Sequence, residues 1–261
     1  MKATNTLRFV LAAMMLIAMA IWQFVPRTSH EILISDAVAA PIDGDPGAIG
    51  VFLKLTNTGG PDRLVGASSE VAATTRIEGP MPTLAVPSAS TPSLSADGAF
   101  LYLSDIKGDL DDGRTLPVTL KFEKAGDITT RARLVAPKTK GAAASFGLFG
   151  IGDICQVGEG EPAPKIALRV NQTAQGWEVG VISSDFEFTP DLVDGPHVPG
   201  TGHGHLYLDG LKLQRLYAPS ASLGVLPAGS YEIRVTLNTN DHRAYVLDDV
   251  PVTATARLTV D

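Results

Sequence analysis

The chain has 261 residues, a formal charge of −7 and a single cysteine. The length suffices for two ordinary domains, and an acidic balance with no basic cluster argues against nucleic-acid binding. One thiol, Cys155, excludes an intrachain disulfide and any multi-cysteine zinc or iron–sulfur site.

At the N-terminus, Lys2 and Arg8 precede an apolar run from Phe9 to Val25 broken only by Gln23. Two readings stand side by side. Ala18-Met19-Ala20 fits a signal-peptidase site, which makes residues 1–28 a cleaved signal peptide. Alternatively, residues 9–25 are just long enough to span a bilayer, as an inner-membrane anchor with its positive end inside. Either way the body of the protein is expected in the periplasm or another extracytoplasmic space. No lipobox cysteine is present.

Beyond that segment, short runs rich in Val, Leu, Thr and Ile alternate with Gly- and Pro-containing breakers such as Asn57-Thr58-Gly59-Gly60, and none shows a convincing 3.6-residue apolar period. The expected class is all-β. Strands are predicted at 31–34, 50–56, 63–67, 74–77, 100–103, 116–122 and 129–135, with a Pro/Ser/Thr-rich loop over 79–95. A linker of Ala, Gly, Pro and Lys follows over 137–164, with a small apolar patch at 146–151. Further strands are predicted at 166–171, 177–183, 205–208, 213–217, 231–237 and 252–260. The simplest architecture is two tandem β-sandwich domains, residues 29–136 and 165–261.

Ile34-Ser35-Asp36-Ala37, the run from Gly50 to Gly59 (GVFLKLTNTG), the run from Asp62 to Ser69 (DRLVGASS) and the run from Leu116 to Gly126 (LPVTLKFEKAG) resemble the periplasmic copper chaperone family PCuAC. The resemblance covers most of residues 31–136 and implies a cupredoxin-like β-sandwich. The family binds copper through two His and two Met, one pair in a Gly-His-x-Met strand. Here that strand reads Gly98-Ala99-Phe100-Leu101-Tyr102-Leu103, with Phe100 and Tyr102 where His and Met are expected. No His lies near Ile77–Pro80, and Met81 is the only methionine beyond the N-terminal segment. The first domain thus reads as a fold without its metal site, serving as a spacer or docking surface.

Four of the five histidines lie close together in sequence: His197, His203, His205 and His242; the fifth, His30, lies in the tether. Imidazole is the commonest metal ligand. His203 and His205 are two residues apart, so on a strand both rings point to one face. His242 follows a predicted strand in the turn-like Asn238-Thr239-Asn240-Asp241 setting, and antiparallel pairing would bring it beside the first pair. His197 precedes them on a Pro/Gly loop. Asp241 or Asp185 could add an oxygen ligand or orient a ring. Cys155 reads as an incidental thiol, with a soft-metal ligand the sharper alternative. The whole segment from 165 to 261 resembles an extracytoplasmic β-domain found beside copper-handling modules in bacteria.

The expected site is therefore His203, His205, His242 and His197, holding copper as Cu(II) or Cu(I), with zinc the competitor. The function that follows is copper buffering or delivery to an extracytoplasmic acceptor protein, without catalysis. A metal-free adhesion or assembly module is the alternative, and a copper redox enzyme ranks below both. Imidazole ligation with ordinary side-chain acidity would weaken binding as the pH falls through about 6.5.

Overall fold

The computed structural model describes residues 31–42, 45, 47–135 and 154–261. Residues 1–28, His30 and the first part of the expected linker, including the 146–151 patch, lie outside the described residues.

The all-β expectation holds. Among the described residues the only helical element is a single 3-10 turn, Pro190–Leu192. No helix among them is long and apolar enough to cross a membrane.

The N-terminal half contributes β1 (Ile32–Pro41), β2 (Ile49–Asn57), β3 (Asp62–Ser68), β4 (Ala72–Glu78), β5 (Leu84–Val86), β6 (Ser93–Leu94), β7 (Phe100–Ile106), β8 (Thr115–Phe122) and β9 (Gly126–Leu134). Alternation sets the buried face of β8: Leu116, Val118, Leu120 and Phe122 turn inward while their neighbours face out. By contrast, Ile49 to Leu55 is buried almost without a break, because β2 is a central strand. The hydrogen-bonded order is β4-β7-β2-β1-β9-β8-β3-β5, antiparallel throughout except for the short parallel contact of β1 with β9.

The C-terminal half begins with β10 (Ile154–Gln156), β11 (Lys165–Thr173), β12 (Gly176–Ser184) and β13 (Glu187–Phe188). It continues with β14 (Thr201–Leu208), β15 (Leu211–Leu216), β16 (Ser220–Leu223), β17 (Gly229–Asn238), β18 (Ala244–Leu247), β19 (Val250–Pro251) and β20 (Thr253–Val260). One sheet runs β15-β14-β17-β20, all antiparallel. The other, β11-β12-β16, places Val179, Val181 and Leu223 in the same core as Leu206, Ile233 and Val235.

The 79–95 stretch is not the plain loop expected from its sequence. Leu84–Val86 is fully buried and pairs with β3. Next, β6 binds β2 through Leu53↔Leu94 and Lys54↔Ser93, and reaches β15 through Lys212↔Ser93. Strands of two and three residues are too short to show a period, so composition alone reads them as loop. Through β6 the sheets of the two halves are continuous, and one hydrophobic cluster holds Leu53, Leu94 and Leu101 together with Leu206, Leu211 and Leu213. In addition, Ile154–Gln156, inside the expected linker, is a strand paired in parallel with β18.

Leu94 is fully buried at this seam. Truncation to Ala should cost about 2–5 kcal/mol of unfolding free energy. Because the core is shared, calorimetry should show both halves melting together at a lower temperature. A variant in which only one half loses stability would contradict the shared core.

Candidate metal centre

Strand β14 carries the site. Its even-numbered residues Leu206 and Leu208 turn into the core, while His203, His205 and Tyr207 share the opposite face. The strand starts at Thr201, earlier than the sequence indicated, so both histidines lie within it. Gly202 explains the early start. It has φ +156, and a Cβ there would lie 2.0 Å from the Asn238 carbonyl oxygen. Only glycine allows β14 and β17 to meet that closely at this point.

Register completes the constellation. Pairing of His203 with Asn238 sets the end of β17 beside the first histidine. The chain then turns, with the His242 amide donating to the Thr239 carbonyl and the Asn238 side chain donating to the His242 carbonyl. His242 sits at φ +70, a left-handed conformation uncommon outside glycine and held here by the turn. Its ring centroid is 4.8 Å from that of His203.

His203, His205 and His242 each offer a ligand atom within 4.8 Å of the others, and they form the one such group of three found among the described residues. Nε2 of His203 lies 3.1 Å from Nε2 of His205. Two nitrogens about 2.0 Å from one ion would be about 2.8 Å apart at a right angle and about 3.3 Å apart at the tetrahedral angle. The observed separation falls between these, a spacing compatible with one shared ion as well as with a hydrogen bond between the rings. Nδ1 of His203 is buried without a hydrogen-bond partner, whereas its Nε2 is within hydrogen-bond distance of His205 Nε2.

The sequence put His197 near this group, and the structure places it elsewhere. Its Nε2 is 3.5 Å from the Cys155 sulfur and its ring packs on Tyr245. Cys155 clusters with Leu237, Tyr245 and Val252, and Leu237 lies opposite Gly204, on the other face of the sheet from His203. Burial raises the Cys155 thiol above its ordinary value.

The carboxylates that approach the rings are not those the sequence suggested. Asp241 accepts from Thr239 and Arg243 and braces the turn, while Asp185 occupies a left-handed position at φ +58 beyond β12. Instead, Asp194 Oδ1 lies 2.5 Å from His242 Nε2, and Asp97 Oδ2 lies 3.0 Å from His205 Nδ1. Asp97 belongs to the N-terminal half, 110 residues before Tyr207. No local pattern in sequence connects the two.

In the N-terminal half, Phe100 packs against Phe52 at 5.5 Å. The Tyr102 hydroxyl donates to Asp45 at 2.7 Å, and Arg76 stacks 3.7 Å over its ring. Met81 is exposed. These are packing and surface roles.

Burial governs the electrostatics of the pair on β14. His203 is pushed down to about 2 by desolvation, reinforced by the charges of His205 and His242. His205 is pushed down to about 4, because desolvation outweighs the pull of Asp97. Asp97 itself is held well below the usual carboxylate range: burial opposes ionisation, but the hydrogen bond from His205 and the charge of Lys212 prevail. Both rings are therefore neutral, and ligation-ready, well below neutral pH. The sequence-based window near 6.5 moves down accordingly.

A family model named LpqE-like, for lipoprotein-type chains, matches residues 32–134, the stretch whose sequence resembles PCuAC. No protein of curated function matches the chain. Among solved structures, similarity is found to the apo PCuAC domain of PmoF1, at 28% identity over 42% of this chain and 98% of that one, with a TM-score of 0.38. The copper-bound PCuAC domain of PmoF2 is 25% identical over 42% of this chain and 97% of that one, with a TM-score of 0.37. Cu(I)-DR1885 of Deinococcus radiodurans is 22% identical over 44% of this chain and 85% of that one, also with a TM-score of 0.37.

The depressed histidines predict the acid sensitivity of the metal-free protein. Below about 6.5 the unfolded chain binds protons at His203 and His205 that the folded chain refuses, so stability is lost as the pH falls from about 6.5 towards 4. Denaturant midpoints at pH 7.5, 5.5 and 4.5 should decline in that order, and His203→Gln should flatten the decline. A level wild-type profile would show that these rings are not neutralised by the fold.

Proposed function

We propose that the chain is an extracytoplasmic, non-enzymatic copper-binding protein. It holds the ion on His203, His205 and His242 and buffers it or passes it to an acceptor protein. The observation that carries this reading is the convergence of three imidazoles from β14 and the turn after β17.

The donor set selects the metal. Three nitrogens without thiolate or thioether suit Cu(II) or Zn(II), and divalent affinities favour copper over zinc. Two histidines in a linear arrangement can also hold Cu(I), for which the Nε2 atoms of His203 and His205 would have to part from 3.1 Å to about 4 Å. The sequence resemblance of residues 31–136 to copper chaperones and the N-terminal export or anchor segment point the same way. His197, set apart with Cys155 on the other face of the sheet, is not part of this donor set. In this reading the buried pair fixes the ion and His242 closes the site. An uncleaved segment 9–25 would keep the protein at the inner membrane.

Titration of the full chain with Cu(II), and with Cu(I) under reducing conditions, tests the proposal. His203→Ala with His205→Ala should weaken binding by more than the about 100-fold expected for loss of an outer partner alone. His197→Ala should have a much smaller effect. Equal binding by wild type and the double variant would sink the carrier reading on these histidines, and no binding above background by the wild type would favour a metal-free assembly module. Zinc competing on equal terms would overturn the choice of copper.

A further inference from the structure

The N-terminal half lacks the ligands of the family it resembles, yet it reaches into the centre described above. Its contribution is the short loop after β6. Within it, the Ser95 amide donates to the Ala99 carbonyl and the Gly98 amide donates to the Ser95 carbonyl. The Ala99 amide then donates across to the Gly210 carbonyl at 2.8 Å, tying the loop to the β14–β15 turn. A Cβ on Gly98 would stand 2.5 Å from that same carbonyl, so the approach tolerates no side chain at this residue.

The loop presents Asp97 to three donors at once. Oδ2 lies 3.0 Å from His205 Nδ1, and it accepts from the Tyr207 hydroxyl at 2.9 Å and from Lys212 Nζ at 2.6 Å. All three donors belong to the C-terminal half, on β14 and β15. One oxygen collecting an imidazole N–H, a hydroxyl and an ammonium is stable only as a carboxylate. His205 and Lys212 are themselves buried, so neither finds water as an easy substitute partner.

We propose that Asp97 is a positioning residue of the metal centre: it holds the proton of His205 on Nδ1, which turns the Nε2 lone pair towards His203 and the ion. A ring whose Nδ1–H is bound to a carboxylate has one tautomer and one orientation, and is a stronger ligand through its other nitrogen. Lys212 balances the carboxylate, and Tyr207 limits its rotation. The half without its own metal site thus supplies the outer partner of the site in the other half. This rests on the copper reading above, and it concerns how that site is built.

The test separates the two claims. In the metal-free full chain, nitrogen-15 histidine spectra should show His205 as the Nδ1–H tautomer. Asp97→Leu combined with Lys212→Met removes the carboxylate without stranding a buried ammonium; its reference is Lys212→Met alone. Against that reference, the Nδ1–H form should give way to Nε2–H or a mixture, Cu(II) affinity should fall about 10–100-fold, and the Cu(II) electron-spin resonance spectrum should change. Should the double variant fold poorly, Asp97→Asn in an otherwise wild-type chain should move the Nδ1 proton signal upfield and weaken Cu(II) binding in the same direction. An unchanged tautomer, or a changed tautomer with unchanged copper affinity, overturns the proposal. A wild-type chain that binds no copper overturns the carrier reading instead, and the tautomer then still reports the hold of Asp97 on His205.

Discussion

The antiparallel pairing of β14 with β17 is the constraint on which the centre depends. With His203 opposite Asn238, the turn carrying His242 falls beside the His203–His205 face. Side chains alternate with a period of two, so a slip of one residue would send the histidines into the leucine core and the leucines into the site. The penalty for that slip is large, because Leu206 and Leu208 are fully buried. The same burial that anchors the strand also strips water from the rings and keeps them uncharged. Stability and ligand readiness are thus set by one register.

The second organising contact is the seam between the halves. Backbone pairing at β6, the Ala99–Gly210 hydrogen bond and the Arg63 guanidinium on Tyr231 and the Ala228 carbonyl fasten the two sequences together. At the centre of that seam, a lysine that is 6% exposed meets a carboxylate from the other half. Breaking such a pair strands a charge where water cannot compensate, so the pair enforces one relative placement of the halves.

Much of the fold could be read from the sequence, because strands such as β2, β8, β11, β12 and β17 are long enough to show their burial pattern. The convergence of three histidines was readable too: a His-x-His on a strand and a third His in a turn at the end of another are local signals. What escaped was non-local or short. The strands β5 and β6 have too few residues for a period. Asp97 lies in an ordinary Ser-Ala-Asp-Gly turn, and nothing nearby marks its partner. Asp241 drew attention by sitting next to His242, yet adjacency in sequence sends its carboxylate to Arg243. His197 joined the expected site, behind the other three, on its nearness in sequence, but the loop between Pro196 and Gly200 carries it to the far side of the sheet, against Cys155 and Tyr245.

The three rings are not held alike. His203 and His205 are fixed by the sheet and almost sealed from solvent, whereas the His242 side chain is 28% exposed and bound to an Asp194 carboxylate that is itself 76% exposed. For an ion on this site, the two directions of exchange are therefore unequal. If the proposed ion is held here, His242 would be the ligand that an acceptor could replace, with Asp194 placed to hold the freed ring and the strand pair keeping the ion. In the proposed carrier, release would then depend on a surface turn and affinity on a buried strand, with no need to open the core.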